Sequence, residues 1–363
     1  MNEKKNNILL LPGDGVGPEI MAEVVKIIDY FNKQKVFNVD YDFADIGGIA
    51  LDNHNVPLPD STLKKASKAD AILLGAVGTK KYENNERTLK PEYGLLELRQ
   101  KLELFVNLRP IFLFDSLINA STLKSDVIKN LDILIVRELI SDVYFGEPRG
   151  FDSNKDGSYA FNTMKYTEKE VSRISDFAFS IASTRNKKIT SVDKANVLEV
   201  SQLWRATVDK VAKNYSDVKL QHMYIDNASM QLIKEPKQFD VILTGNLFGD
   251  ILSDEASMLT GSIGMLPSAS LSLENRGLYE PVHGSAPDIA GKGIVNPIAM
   301  ILSFAMLLEY TFNKKELSEL IRISVNKVLN NGIFTKDLSG SEEFVSTGQM
   351  GDKVLEEVMR NVK

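Results

Sequence analysis

The sequence predicts an α/β fold. Short apolar runs that suit buried strands, such as residues 8–11, 71–74 and 241–243, alternate with longer stretches of helical periodicity. Glycine and proline punctuate the junctions. The 363 residues suffice for about two domains. No linker-like tract or internal repeat separates one part from another, so the domains are expected to be interleaved in sequence.

Residues 8–11 give the first strand, followed by PGDGVGPE and a helix to about residue 32. Gly13, Gly15 and Gly17 follow a G-x-G-x-G spacing with Pro18 behind them. That is not the G-x-G-x-x-G of dinucleotide folds, and a tight strand-to-helix turn explains it at least as well. Residues 71–74 form a buried strand that ends at Gly75. Residues 77–94 are polar and unpatterned, a long loop of the kind that often carries function. A helix over 95–104 leads into a strand at 106–110. Strands near 133–136, 158–166 and 189–192 alternate with helices at 167–184 and 198–214, and another strand covers 220–225. In FDVILTGNLFGDILSDE (239–255), Gly245 and Asn246 end a strand, and a helix follows with Leu247, Ile251 and Leu252 on one side. Residues 261–297 are rich in Gly, Ser and Pro and show little regular pattern. A helix starts after Pro297, and helices near 315–330 and 352–361 finish the chain.

Composition removes several function classes. The net charge of −6, with both signs spread throughout, offers no basic patch for nucleic acid and no cationic block for an anionic membrane. With no cysteine there is no disulfide framework, thiolate metal site or cysteine nucleophile. The longest apolar run, residues 298–308, is broken by Ser303 and too short to span a bilayer. The start, MNEKKNN and then four apolar residues before Pro12, is too short for an export signal. The expectation is a cytoplasmic protein with neither nucleic-acid nor membrane partners.

Chemistry concentrates in a few places. Asp250 and Asp254 are four residues apart, which puts both carboxylates on one helical face just past a strand end. Such pairs are commonly solvated, but with no Cys or His nearby this one suits a hard cation, Mg²⁺ or Mn²⁺. Arg99, Arg109 and Arg137 lie at helix or strand ends. Guanidinium binds carboxylates with two parallel donors, so three of them beside a metal site point to a polycarboxylate substrate. Lys194 and Tyr144 are candidates for proton transfer. The histidines, His54, His222 and His283, stand at neither metal-ligand nor triad spacing, so histidine-based catalysis is not expected.

Several segments in this order resemble the β-decarboxylating dehydrogenases, the family acting on isopropylmalate, isocitrate, homoisocitrate and tartrate. They are LLPGDGVGPE (10–19), LLELRQKLELFVNLRP (95–110), VRELISDVYFGEPRG (136–150), DKAN (193–196), NLFGDILSDEAS (246–257) and EPVHGSAPDIAGKGIVNP (280–297). The resemblance covers essentially the whole chain. It implies the two-domain isocitrate/isopropylmalate dehydrogenase-like α/β fold, not a Rossmann fold. Residues 1–105 and 260–363 would form one discontinuous cofactor-binding domain. Residues 106–259 would bind substrate and metal and make a homodimer with shared active sites. It further implies that Asp250 and Asp254 hold Mg²⁺ or Mn²⁺, with Asp226 supplied by the other subunit. Arg99, Arg109 and Arg137 would clamp the malate carboxylates. Tyr144 and Lys194 would move protons, Lys194 reaching across from the partner. NAD would lie along His283, Gly284, Ser285, Ala286, Asp288, Ile289 and Asn296, with Asp288 favouring NAD over NADP.

Family substrates share a malate half and differ at C3. By the resemblance, Glu92, Leu95 and Leu96 meet that group. Two leucines offer an apolar wall worth about 0.8 kcal/mol per buried CH₂, and they leave a third carboxylate unpaired. An ionised Glu92 adds like-charge repulsion and, by the resemblance, also lies near the nicotinamide. The expected reaction is therefore oxidative decarboxylation of (2R,3S)-3-isopropylmalate to 4-methyl-2-oxopentanoate with NAD⁺, a step of leucine biosynthesis. The alternatives are another family substrate or a non-catalytic regulatory subunit. Two departures stand out. Residues 140–143 read ISDV where relatives have Thr-Gly and a small or acidic residue, and Phe334 stands at a position often basic.

Overall fold

A computed structural model describes residues 6–274 and 276–362. The first five residues of the polar start, which entered the export-signal expectation, lie outside the described residues.

The strands are β1 (Asn6–Gly13), β2 (Val39–Phe43), β3 (Ala71–Ala76), β4 (Val106–Phe112), β5 (Asp132–Glu138), β6 (Gly150–Asn154), β7 (Gly157–Phe161), β8 (Lys188–Asp193), β9 (Lys219–Tyr224), β10 (Val241–Thr244), β11 (Pro267–Leu271) and β12 (Gly277–Pro281). The helices are α1 (Gly17–Gln34), α2 (Gly48–His54), α3 (Asp60–Lys68), α4 (Pro91–Lys101), α5 (Ser125–Ile128), α6 (Glu168–Ser183), α7 (Glu199–Ala212), α8 (Ile225–Lys234), α9 (Asn246–Ser257), α10 (Ile298–Tyr310), α11 (Lys315–Asn330), α12 (Lys336–Ser339) and α13 (Thr347–Asn361).

Ten strands make one sheet in the order β2-β1-β3-β12-β11-β4-β5-β10-β8-β9. The first five come from residues 6–76 and 267–281, and the last five from residues 106–244. Between these halves, β11 and β4 pair antiparallel through Ala269–Leu108, Ser270–Asn107 and Leu271–Val106. Alternate residues of each strand serve opposite faces. Ile8 and Leu10 join the core under α1, α10, α11 and α13, while Leu9 and Leu11 pack with Leu74 and Leu98 on the other side. Helices cover both faces of the sheet, which is why β3 is buried at every position and reads as an unbroken apolar run. Helix α10 is buried nearly all round, as an evenly apolar helix must be. Helices α6 and α13 start with full capping boxes, Thr167–Glu170 and Ser346–Gln349.

Several expected elements differ. The strand expected at 158–166 stops at Phe161, because β7 pairs only with β6 in an exposed two-stranded hairpin. Residues 261–297 hold β11 and β12 at the sheet's centre; both are fully buried, so neither shows the polar alternation that marks a half-exposed strand. The strand at 220–225 gives way at Ile225 to α8. Helix α4 starts at Pro91, whose fixed φ suits a first turn, and so takes in Glu92. On α9 the buried face is Asn246, Gly249, Leu252, Ser253 and Ala256, whereas Ile251 points outward.

Candidate active site

Helix α9 begins where β10 ends, and its first residue orders the site. Asn246 Oδ1 accepts from Arg137 Nε (3.1 Å) and Nη2 (2.6 Å), while its amide donates to the carbonyls of Leu139 (2.9 Å) and Ser141 (3.1 Å). Gly249, one turn on, leaves room for Arg137: a Cβ there would lie 2.6 Å from Arg137 Cγ. Arg137, at the end of β5, then reaches Asp250 Oδ1. Arg109, from β4, donates to Asn107 Oδ1 (2.9 Å), Ser253 Oγ and Asp254 Oδ1 (3.2 Å), and lies 3.5 Å from Asp250. Tyr144 donates to the other Asp250 oxygen at 2.7 Å. Two acids, two guanidiniums and a phenol thus converge around one turn of α9.

Electrostatics follow from burial. Burial raises the Asp250 carboxyl, but Arg137 and Arg109 outweigh it and the net shift is downward. Burial wins at Asp254, which moves up despite Arg109. Arg109 itself falls to about 10, through burial and then repulsion by Arg137. Burial and the bond to Asp250 push the Tyr144 phenol up to about 12, so it holds its proton at neutral pH.

Lys194 and Asp226 do not join this cluster. They pair with each other at 2.7 Å in a largely exposed bridge between the loop after β8 and the first turn of α8. Among the described residues, no three His, Cys, Asp or Glu side chains of this chain gather at a metal-holding distance.

Arg99 lies on α4 and pairs with Glu280 of β12. A cavity of about 160 Å³ joins these two to Glu92, Leu95, Arg109 and His283. Leu98 fills the core, which frees Leu95 for this wall; Leu96 is half-buried but is not among the lining residues. Two polar atoms of the lining, Arg99 Nε and His283 Nε2, are buried without a partner among the described residues. His283 Nδ1 donates to the Gly284 carbonyl (2.9 Å), which leaves Nε2 as the acceptor of a neutral ring. Burial lowers the His283 pKa and favours that neutral ring.

His283 also borders a larger cavity of about 640 Å³, together with Gly284, Ala286, Ile289, Asn296, Lys336 and Asp337. Ser285 is buried, and Asp288 is exposed. The Asn296 side chain is already engaged: it donates to Asp337 (3.1 Å) and accepts from Ile298 N (3.0 Å) at the start of α10. His54 and His222 sit in surface pairs with Asp45 (3.1 Å) and Asp209 (2.8 Å). Four residues of the arrangement escaped the sequence reading: Asn246, Glu280, Lys336 and Asp337. The Gly-Asn strand break marked the first; Lys336 stands two residues from Phe334, the position noted as often basic.

Residues 7–354 match the family of isocitrate/isopropylmalate dehydrogenases, and the chain belongs to that family. It is 55% identical over 350 residues to a 3-isopropylmalate dehydrogenase of Hydrogenovibrio crunogenus, covering 96% of this chain and 98% of that one. It is 56% identical over 352 residues to a 3-isopropylmalate dehydrogenase of Pseudomonas putida, covering 96% and 97%. A solved isocitrate dehydrogenase from Methylococcus capsulatus superposes with a TM-score of 0.87 at 34% identity, over 97% of this chain and 99% of that one. Among the described residues, no helix is long and apolar enough to cross a membrane.

Proposed function

We propose that the chain is an NAD- and divalent-metal-dependent enzyme that oxidatively decarboxylates (2R,3S)-3-isopropylmalate to 4-methyl-2-oxopentanoate in the cytoplasmic route to leucine. The observation that carries this reading is the near-full-length identity to relatives named for that substrate. The apolar wall at Leu95 agrees with it, since nothing there meets a third carboxylate.

The donors fit the implied groups. Asp250 and Asp254 offer hard oxygens on one face, and the partnerless His283 Nε2 borders both the site and the larger cavity. Bound there, the cation supplies Lewis acidity toward the 2-hydroxyl and NAD⁺ supplies a hydride acceptor. The chain's own residues do the rest. Arg99, Arg109 and Arg137 bind the malate carboxylates and orient C2. Lys194 of the partner subunit takes the hydroxyl proton. Once CO₂ is lost, Tyr144 gives its proton to C3.

A homodimer is part of this reading. Lys194 and Asp226 lie apart from the Asp250 cluster, so the site is complete only if a second copy brings them. Met230 and Ile233 on α8, Ile251 on α9, Met258 just past its end, and Phe151 of the β6–β7 hairpin are exposed apolar groups that such a copy would cover. We also assign residues 1–105 and 260–363 to a cofactor domain and 106–259 to a substrate and dimer domain; the sheet order, with its seam between β11 and β4, supports that division.

The test is NAD reduction with a panel of 2-hydroxy acids, with and without EDTA. Turnover of 3-isopropylmalate that EDTA abolishes is expected. No turnover with Mg²⁺ or Mn²⁺ present, or equal turnover of isocitrate, refutes the proposal.

A further inference from the structure

The loop between β1 and α1 carries an acid that the reaction does not use. Asp14 is 7% exposed, and three backbone amides from two other segments donate to its carboxylate: Gly48 N (2.8 Å), Ile49 N (2.9 Å) and Gly78 N (2.8 Å). The first two open α2, where a carboxylate satisfies amides that lack intrahelical partners. The third begins the long segment that leads to Glu92.

The backbone on either side of Asp14 has no freedom. Asp14 N donates to Ala76 O (2.7 Å), and Val16 N donates to Ser285 O (2.9 Å). Gly13 and Gly15 hold φ of +67° and +57°, and a Cβ on either would lie 2.0 Å from those same two carbonyl oxygens, of Ala76 and Ser285. The loop is wedged between the end of β3 and the 280s segment. Gly78, held by the Asp14 carboxylate, in turn lies against Glu92 and Ser285. A Cβ on it would stand 3.0 Å from Glu92 Oε1 and 3.4 Å from Ser285 Oγ. One carboxylate therefore fixes three things together: the start of α2, the Gly78 backbone, and the spacing between Glu92 and Ser285.

We infer that Asp14 is a positioning residue for the nicotinamide end of the cofactor site, acting through Gly78 and through the Val16–Ser285 bond. This rests on the NAD-dependent reading above. Asn cannot replace Asp14, because its amide nitrogen would face an N–H donor where an oxygen now accepts. A residue that merely held the fold together would loosen both ligand sites alike. A positioning residue on this side of the cleft affects one of them.

The experiment is steady-state kinetics of wild type, Asp14→Asn and Gly48→Ala with NAD⁺ and 3-isopropylmalate varied separately, beside a thermal melt of each. Gly48→Ala leaves Asp14 in place but puts a methyl 2.6 Å from Thr79 Cγ2 and 3.0 Å from Asp14 Oδ1, so the Thr79 side chain must turn aside and the carboxylate is crowded. For Asp14→Asn the expected result is KM for NAD⁺ raised about tenfold or more, with KM for 3-isopropylmalate within about twofold. For Gly48→Ala a smaller rise of about threefold in the same constant is expected. Folded Asp14→Asn with unchanged KM for NAD⁺, or with both constants raised equally, overturns the inference and leaves the functional reading intact. If Asp14→Asn gives no cooperative melt, Gly48→Ala decides, and an unchanged KM for NAD⁺ in that variant overturns the inference. A wild type that reduces no NAD⁺ overturns both.

Discussion

Two acid–base pairs of this molecule share a chemistry and differ in almost everything else. The Arg137–Asp250 bridge is the more enclosed: its side chains are 3% and 35% exposed, and each guanidinium nitrogen is engaged, two by Asn246 and one by Asp250. The side chains of the Lys194–Asp226 bridge are 27% and 60% exposed. Breaking an enclosed pair strands a charge in low dielectric, whereas an open one exchanges its partner for water at little cost. Arg137–Asp250 is thus held in place by its surroundings, with one N–H on each terminal guanidinium nitrogen still free to meet a further acceptor. Lys194–Asp226 is held loosely enough to change partners, as two groups must if they complete a site on another subunit.

The largest effect should come from breaking the enclosed pair. Asp250→Ala leaves Arg137 unpaired and removes the acceptor of Tyr144. Turnover should fall on the order of 10⁴-fold, and stability by about 3 kcal/mol. Denaturant melts and NAD reduction check both halves, and loss of activity with unchanged stability would mean the pair is not structural. Lys194→Ala should separate the two effects. Turnover falls on the order of 10³-fold, but stability changes by less than about 0.5 kcal/mol. Mixing the two inactive variants with subunit exchange should restore about a quarter of wild-type activity, since half the dimers then carry one intact site of two. Verified heterodimers that remain inactive would place each site within one chain.

A hundredfold effect belongs to the substrate. The value of kcat/KM for 3-isopropylmalate should exceed that for isocitrate by about a hundredfold, and Leu95→Ser should narrow the gap by roughly tenfold. Leu96→Ala should change it by less than about threefold, because only Leu95 lines the cavity. Equal effects of the two substitutions would put both leucines on the substrate. The smallest effect concerns the cofactor. Asp288 is exposed, so Asp288→Lys with Ile289→Tyr should shift the NAD/NADP ratio of kcat/KM by about tenfold while leaving the melt unchanged. A wild type equally efficient with NADP would sink the role given to Asp288.

What could be read in advance followed from local rules. Helix α11 matched its expected span because its apolar period repeats cleanly over four turns. The approach of Asp250 to Asp254 needed only a helix and a spacing of four. Strands β11 and β12 stayed hidden because burial on both faces erases alternation, and their small and proline residues resemble loop. Ile251 was grouped with Leu247 and Leu252 on one side of the helix, yet it lies on the outer face of α9 while Leu252 is buried, because a helical pattern groups apolar residues without saying where the edge of the core falls. The Arg99–Glu280 pair links residues 181 positions apart, brought together only by the sheet's order, which no local pattern encodes. The roles assigned to site residues came mainly from the resemblance; spacing and residue type supplied candidates.

The seam between β11 and β4 sets the mechanics of the cleft. The halves of the sheet are not hung on a slack tether. They are welded by three residue pairs and pinned by the Asn107 amide, which reaches Ser268 Oγ (2.8 Å), Ala269 O (3.3 Å) and Ser270 Oγ (3.3 Å) from the opposite strand. Separating the halves would strain this hydrogen-bonded ladder, so the seam is a stiff joint. The same Asn107 holds Arg109 through its oxygen. Any strain on the seam is thus passed to the guanidinium that faces Asp250 and Asp254.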